Sequence, residues 1–388
     1  MKPPASPSLA FALLILGTTL GIAGTDLVLP AVPDLPATPG GSAAMAQLVL
    51  AAFVAGGCVG LILFGELGAR IDQRGLLVSS LVAYALVSLG CALAPSLPSL
   101  IGLRFLHGLS GAAAAVFAPG MIRTMFDARG AVRALGLMGS VESLTPALAP
   151  VAGVWLLAFG WNSSFYVIAV LSLLVAGLIH LRRASLPAPP PTRGKGSYVR
   201  LLSNPVFLRY ALSQACTLGG LLIFVFGAPA MMTKALGGSL DDFILMQVTG
   251  IAFFIVGSNI AGRLVDRFGP ERMILFGSAL SALGLVALLA YGLSGGSAPV
   301  MIAALFVPVN LGLGFRGPPG FFRAVLASGG DDARGAALVI LFILGTTAIG
   351  TAIAAPYVTL GLAPLAAIAA AVSCLSVALL LAMQPPRT

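Results

Sequence analysis

The chain has 388 residues, of which 59% are hydrophobic and only 9% are charged. About a quarter of the residues in soluble globular domains are charged, so this composition excludes a soluble protein and predicts one that resides in a lipid bilayer. A formal net charge of +9 would suggest nucleic-acid binding in a soluble protein. In a membrane protein, Lys and Arg collect at the cytoplasmic ends of the spans, so we expect no nucleic-acid partner.

Apolar stretches of about 20 residues, long enough to cross the hydrocarbon core, recur along the whole chain. Those in the first half cover residues 8–29, 43–65, 76–94, 97–121, 134–157 and 162–181. Those in the second half cover residues 207–230, 243–262, 273–293, 299–316, 335–356 and 362–383. The sequence therefore predicts an all-α membrane protein with twelve transmembrane helices in two pseudo-symmetric six-helix halves.

Residues 182–204 separate the two sets of helices. This segment is rich in proline and carries several basic residues, so it is too polar to cross the bilayer. We predict an N-terminal half at residues 1–181, a cytoplasmic linker at 182–204 and a C-terminal half at 205–388.

The positions of the basic residues predict the topology. With the N-terminus inside, every Lys and Arg falls on the cytoplasmic side except Lys234, which lies outside, and Arg104 and Arg316, which lie within spans. Because loops with excess Lys and Arg stay in the cytoplasm, we expect both termini to be cytoplasmic in the inner membrane of a bacterial cell.

A duplicated motif joins helices in each half. Gly68-x-x-x-Asp72-x-x-Gly75 recurs as Gly262-x-x-x-Asp266-x-x-Gly269, displaced by 194 residues, which is half of the chain's 388. Glycine permits close helix approach and turns, and an Asp can meet a helix N-terminus and nearby arginines. We expect these two copies to form a gate that controls conformation, in which Gly75 and Gly269 turn the chain. The basic members of the gating motif are Arg74 and Arg267.

The duplicated motif resembles the signature between helices two and three of the major facilitator superfamily. Three further stretches are similar to the drug:proton antiporter branch and its bicyclomycin and chloramphenicol exporter group: Thr25 to Ala31, Arg104 to Gly111, and Pro146 through Pro150 to Gly153. The chain departs from the family pattern at His107, where Gln is usual, at Gln73 and Leu76, where basic residues are usual, and in the third stretch, which lacks one glycine. The resemblance implies a twelve-helix transporter and identifies the third stretch as the antiporter motif.

Ionisable side chains within the spans are the candidates for proton coupling, because charges in a bilayer are costly and usually serve a function. They are Asp26, at the outer end of the first span, Glu142, about 12 Å in from the cytoplasmic face, Arg104 and His107. The depths allow Asp26 to pair with Arg104, and Glu142 to pair with Arg316 near the inner end of the tenth span. His107 titrates near neutral pH in water, but a lone His is more often a hydrogen-bonding packing residue.

The remaining polar or large side chains near mid-membrane are predicted to line the cavity: Gln47, Met138, Gln214, Phe226, Asn310 and Arg316. The second half carries Val225 where the first carries Asp26, with Pro229 and Ala230 matching Pro30 and Ala31. The acid is therefore not needed for packing, which favours a functional role for Asp26.

We expect a monomeric secondary transporter that exports a small, apolar or amphipathic compound in exchange for protons. It would need no cofactor and no metal, because the proton gradient supplies the energy, and its partners would be the substrate and the bilayer. An importer or uniporter of a small metabolite shares the fold and remains an alternative. A membrane-embedded enzyme is disfavoured, because the chain has no His-Glu-x-x-His motif and no intramembrane Asp pair.

Overall fold

The computed structural model describes residues 7–35, 43–187 and 196–383. Over these residues the chain is helical, with no β-strand. Residues 188–195, which hold the centre of the predicted linker, lie outside the described residues, as do both chain ends.

The helices before the linker are α1 Pro7–Asp26, α2 Ala43–Arg70, α3 Gln73–Ala92, α4 Leu97–Gly111, α5 Ala113–Met125, α6 Ala128–Leu157 and α7 Ser163–Leu181. Those after it are α8 Tyr198–Leu202, α9 Pro205–Ala230, α10 Leu240–Phe268, α11 Pro270–Leu293, α12 Pro299–Ala327, α13 Asp332–Ala354 and α14 Leu362–Ala382. A 3₁₀ segment, Leu29–Asp34, follows α1.

The described residues contain 12 helical segments long and apolar enough to cross a membrane, which confirms the predicted number. α4 and α5 form one of these segments, Leu97–Met125. Several helices extend beyond the predicted apolar stretches, as α2 does to Arg70 and α12 does to Ala327. The reason is that the hydropathy criterion stops at charged residues, whereas the backbone hydrogen bonds of a helix continue into the polar boundary of the bilayer.

The chain divides into two compact units by its internal contacts. Unit 1 comprises Met1–Asp127, Val141–Ser197 and Gly330–Ala337. Unit 2 comprises Ala128–Ser140, Tyr198–Gly329 and Leu338–Thr388. Helices α6 and α13 therefore contribute residues to both units.

Glycine brings α2 and α4 into backbone contact in unit 1. A Cβ atom at Gly56 would lie 1.8 Å from the carbonyl oxygen of Phe105, and one at Gly108 would lie 1.9 Å from that of Phe53. No larger residue fits at either position without separating the helices. Small residues at such crossings are typical of membrane helices, whose association depends on close packing. The contact fixes how far a side chain on α4 reaches toward α2.

Glycine also brings α11 and α12 into backbone contact in unit 2. A Cβ atom at Gly277 would lie 2.5 Å from the carbonyl oxygen of Gly312, and the reverse distance is also 2.5 Å. Ser281 reinforces the crossing, since its hydroxyl donates to the carbonyl of Val309 at 2.8 Å. The fourth span of each half is therefore held against a neighbouring helix by glycine contacts.

Candidate functional site

Arg104 is a fully buried cation in unit 1, with 0% of its surface exposed. Its Nη1 donates to the carbonyl oxygen of Gly24 at 2.9 Å, and its Nε donates to that of Val49 at 3.3 Å. Its Cζ lies 4.3 Å from the ring centroid of Phe53. Carbonyl dipoles and an aromatic face, both favourable partners for a guanidinium, thus surround the charge.

The ion pair between Asp26 and Arg104 that their predicted depths allow is not formed. Among the residues that the structure describes, no ion pair joins Asp26 to any cation, and its side chain is half-buried. The physical reason lies at the end of α1, where Val28 N–H bonds to Thr25 and leaves the Gly24 carbonyl without its helical donor. The Arg104 guanidinium supplies that missing donor instead of binding the carboxylate.

His107 lies one helical turn after Arg104 and is also fully buried. Its Nδ1 lies 3.1 Å from Arg104 Nη1, and its ring stacks on Tyr84 with centroids 4.1 Å apart. The Tyr84 hydroxyl donates to the carbonyl of Leu20 at 3.1 Å. Side chains from α3 and α4 and carbonyls from α1 and α2 therefore meet at one buried polar cluster.

Glu142 lies deeper in its helix than the sequence predicted. Because α6 begins at Ala128, the acid is fourteen residues, about 21 Å, from the start of the helix instead of about 12 Å. Its half-buried side chain is within hydrogen-bonding reach of Thr18 on α1. Pro146 has no backbone N–H, so the Glu142 carbonyl loses its usual helical partner. The acid thus sits at a proline-interrupted turn.

The antiporter motif places α6 against the end of α1. Pro150 is the second proline inside α6, and a Cβ atom at Gly153 would lie 2.5 Å from the carbonyl oxygen of Leu27. Ser164 donates to the same carbonyl at 2.9 Å. This contact adjoins Asp26, so both candidate acids border the packing of α1 on α6.

Arg316 is a second fully buried cation, in unit 2. Its Nη1 donates to the carbonyl of Ser213 at 2.9 Å, and its Nη2 donates to the hydroxyl of the same residue at 3.1 Å. The prediction that it lies near the inner end of its helix is wrong. Because α12 continues to Ala327, eleven residues further, Arg316 is about 16 Å from that end.

The other predicted cavity residues differ in exposure. Gln47 is exposed, and so is Phe226, at 58%. Met138, Gln214 and Asn310 are buried.

Two of the buried polar residues come together in unit 2, and another packs apart from them. A Cβ atom at Gly320 would lie 2.9 Å from Arg316 Nη2 and 3.0 Å from Gln214 Oε1, so these two side chains converge there. Asn310 instead donates to the carbonyl of Phe306 at 3.1 Å and packs against Gly250. Contact of the predicted cavity residues with substrate stays a prediction.

The first copy of the duplicated motif caps a helix. Asp72 accepts a hydrogen bond from the backbone N–H of Arg74 at 3.3 Å, at the N-terminus of α3, and pairs with Arg183. Burial raises the pKa of Asp72, but the bonds from Arg183 and the backbone outweigh it and hold the pKa below its usual value. The Asp72 carboxylate therefore stays charged at neutral pH.

Gly68, the first glycine of this copy, packs on α5, where a Cβ would lie 2.3 Å from the Phe117 ring.

Gly75 does not turn the chain, contrary to the sequence expectation. It is the third residue of α3 and has no positive φ. Its missing side chain instead makes room for Arg183, whose Nη2 would lie 3.3 Å from a Cβ there. Gly269, at φ 84°, does end α10 as expected.

The second copy binds arginines of α6 within unit 2. Asp266 lies inside α10 and pairs with Arg129 at 3.0 Å and Arg133 at 3.1 Å. A Cβ atom at Gly262 would lie 2.5 Å from Arg133 Cγ, so the absence of a side chain at this glycine leaves space for the arginine. Arg267 stacks beside Phe268, with Cζ 5.3 Å from the ring centroid, and forms no ion pair among the described residues.

Sequence reasoning missed a charged cluster in unit 1. Arg334 bonds to Glu66 at 2.7 Å and to Asp331 at 2.9 Å. Arg123 bonds to Asp332 at 2.6 Å. The signal was present as adjacent acids just before an arginine at the start of an apolar stretch. Asp331 pairs locally with Arg334, but Glu66 and Arg123, which complete the cluster, lie far away in sequence.

The chain is similar to bacterial transporters over most of its length. It is 28% identical to the chloramphenicol resistance protein of Pseudomonas aeruginosa over 364 residues, covering 89% of this chain and 83% of the relative. It is 28% identical to the uncharacterized MFS-type transporter YdgK of Bacillus subtilis over 317 residues, 79% of each chain. It is 25% identical to the bicyclomycin resistance protein homolog of Haemophilus influenzae over 268 residues, 67% of each.

Solved transporters share the fold. FucP in the outward conformation matches with a TM-score of 0.77 at 16% identity, covering 98% of this chain and 100% of that one. The proton:xylose symporter XylE matches with a TM-score of 0.76 at 15% identity, covering 97% and 95%. Residues 14–355 match the family model of the Major Facilitator Superfamily. The chain is a multi-pass membrane transporter that belongs to the Major Facilitator Superfamily.

Proposed function

We propose that this transporter exports small apolar or amphipathic compounds in exchange for protons, by alternating access. The observation that carries the proposal is the pair of half-buried acids in unit 1, Asp26 and Glu142. Neither acid forms an ion pair among the described residues. A carboxylate in a bilayer without a cation is costly, so each acid is suited to take up a proton and to compete with a substrate for its site.

The names of the relatives support the class of substrate. They include a chloramphenicol resistance protein, a bicyclomycin resistance homolog and the multidrug transporter MdfA of Edwardsiella piscicida. Resistance by a membrane transporter favours export over import. Gly153 of the antiporter motif packs against Leu27, next to Asp26, and the motif at Pro146, Pro150 and Gly153 supports the same direction.

Arg104 gives the proton step a physical mechanism. Its guanidinium binds the carbonyl of Gly24, which precedes Asp26 by two residues, a rise of about 3 Å along α1. A movement of α4 relative to α1 during the transport cycle would be needed to bring the cation from the carbonyl to the carboxylate. Each pKa unit by which the acid then changes corresponds to about 1.4 kcal/mol, which couples the proton to the conformational change.

The proposed transporter also has a defined location, oligomeric state and energy source. The protein acts as a monomer in the bacterial inner membrane with both termini in the cytoplasm, and the proton gradient is its energy source. No cofactor or metal enters the cycle. The bias of basic residues toward one side of the predicted topology supports this orientation.

A compound panel on everted vesicles tests the function. Addition of a transported compound should collapse an imposed pH gradient in vesicles that contain the protein, and control vesicles should not respond. Counterflow of labelled compound that is independent of any pH gradient would favour a uniporter and contradict proton exchange.

Topology reporters test the orientation. Fusions after Arg193 and after Arg387 should report a cytoplasmic location, and a fusion at Gly41 should report an external one, because basic loops are retained inside. Alkaline phosphatase and fluorescent-protein fusions measure this directly. A cytoplasmic signal at Gly41 would contradict the number of spans before the linker.

Substitutions in the second gating motif should change the conformational equilibrium. Asp266→Ala removes the partner of Arg129 and Arg133, both largely exposed, so we expect a loss of transport of up to about fivefold, from a pair energy of at most about 1 kcal/mol. Gly262→Leu displaces Arg133 and should have a larger effect. Transport rate and accessibility labelling of the expressed protein measure both.

Arg263→Ala is the matched control for these substitutions, because Arg263 is exposed, adjacent in sequence to Gly262 and free of ion pairs among the described residues. Unchanged transport and labelling in both motif variants would contradict a gating role for the second copy of the motif.

A further inference from the structure

His107 lies among aromatic rings and beside the Arg104 guanidinium. Among the described residues, Tyr84 and Cys91 from α3 and the rings of Phe53 and Phe165 face the imidazole or Arg104, and two backbone carbonyls also face Arg104. No carboxylate among the described residues bonds to the imidazole. The imidazole therefore has a cation and no anion beside it.

The contact with Arg104 determines the tautomer of His107. A guanidinium N–H only donates, so at 3.1 Å from Arg104 Nη1 the His107 Nδ1 must supply a lone pair. The hydrogen of the neutral ring is then on Nε2. A proton on Nδ1 would place two donors face to face beside a positive charge, and the contact would break.

We propose that His107 is a positioning residue that remains neutral and holds the Arg104 guanidinium on the Gly24 carbonyl, and that it does not carry the transported proton. The role in transport rests on the proposed proton exchange, whereas the tautomer does not. Without the acceptor at position 107, the guanidinium is free to leave Gly24 for Asp26 at the wrong stage of the cycle.

The environment of the ring suits an imidazole. The ring offers an acceptor to Arg104 and also stacks on Tyr84 with an interplanar angle of 15°. Tyr84 is itself fixed, because a Cβ atom at Gly24 would lie 1.9 Å from its hydroxyl and one at Gly111 would lie 2.8 Å from its ring. The stacked tyrosine holds the plane of the imidazole, and the contact of Nδ1 with Arg104 selects the orientation within that plane.

Nitrogen NMR of the whole protein labelled with ¹⁵N-histidine tests the tautomer. The chain has two histidines, and His180 is exposed, so His180→Gln assigns the two signals. We expect His107 to show an unprotonated Nδ1 and a protonated Nε2, without change between about pH 5 and 8. A protonated Nδ1 or a titrating His107 would overturn the proposal.

Transport by two variants tests the positioning role. His107→Leu should lose at least about tenfold in pH-gradient-driven export, because a buried donor loses its acceptor. His107→Gln restores an acceptor and should recover to within about twofold, with the pH profile of the unmodified protein. His180→Gln is the control, and thermal unfolding confirms that each variant is folded.

Two transport results would overturn the proposal. A changed pH profile in His107→Gln would show that the imidazole titrates, and full export by His107→Leu would show that Arg104 needs no acceptor. If the unmodified protein shows no pH-dependent export, the proposed function fails, and the tautomer measurement still decides the state of His107.

Discussion

Asp26→Asn is expected to abolish export driven by a pH gradient while exchange of substrate across the membrane without a gradient continues. Asparagine preserves the size and hydrogen-bonding capacity of the side chain but cannot carry a proton. Asp26 is half-buried at the end of α1, adjacent to the contact of Leu27 with Gly153, and forms no ion pair among the described residues. The substitution therefore removes the group that can carry a proton without removing a structural salt bridge.

Everted vesicles with an imposed gradient measure uphill export, and counterflow of labelled substrate measures exchange. Asp241→Asn, at the exposed start of α10, is a matched control for loss of a carboxylate. Glu142→Gln decides which acid matters. If Asp26→Asn retains full gradient-driven export and Glu142→Gln does not, the proton site belongs on α6 and the assignment to Asp26 is wrong.

The number of helices was predictable because the bilayer imposes a length of about 20 apolar residues on every span. The helix ends were not predictable from this criterion, since hydrogen bonding continues past the first charged residue. The error mattered for function. It placed Arg316 near a helix end and Glu142 only about 12 Å from one. Helices α12 and α6 extend well beyond the predicted stretches and place both residues near the middle of their helices.

The partners of charged residues were harder to predict than their positions. The spacing of Arg104 and His107 places both on one face of α4, and that proximity is present in the structure. The acceptor on Gly24 depends on two facts that the sequence does not state: the end of α1 leaves a carbonyl without a donor, and glycine contacts bring α4 close. The sequence suggested Asp26 because opposite charges attract.

The gating motif shows the same limit. Its glycines and aspartates were identified from their repetition, but the partners of Asp72 and Asp266 are arginines outside the motif. Arg129, Arg133 and Arg183 lie at the ends of apolar stretches, and no local pattern links them to these aspartates. Long-range pairs of this kind follow from tertiary packing, which one sequence does not reveal.

Arg104→Ala and Arg104→Lys are both expected to lose at least about tenfold in gradient-driven export, for different reasons. Alanine leaves the Gly24 carbonyl and His107 Nδ1 without a donor, at a cost of about 1–3 kcal/mol for each buried group, so the protein should also unfold at lower temperature. Lysine keeps the charge, but its single ammonium cannot reproduce the planar fork that contacts α1, α2 and His107 together.

Vesicle transport and thermal unfolding of the purified variants separate the two effects. Lysine should preserve more of the stability than alanine and still fail to support export, because the position of the guanidinium, and not only its charge, determines when it reaches Asp26. Arg182→Lys, an exposed arginine after α7, should change neither measurement. Export by Arg104→Lys at the rate of the unmodified protein would show that a positive charge at this depth suffices, and the role of the Gly24 contact in timing proton release would then be excluded.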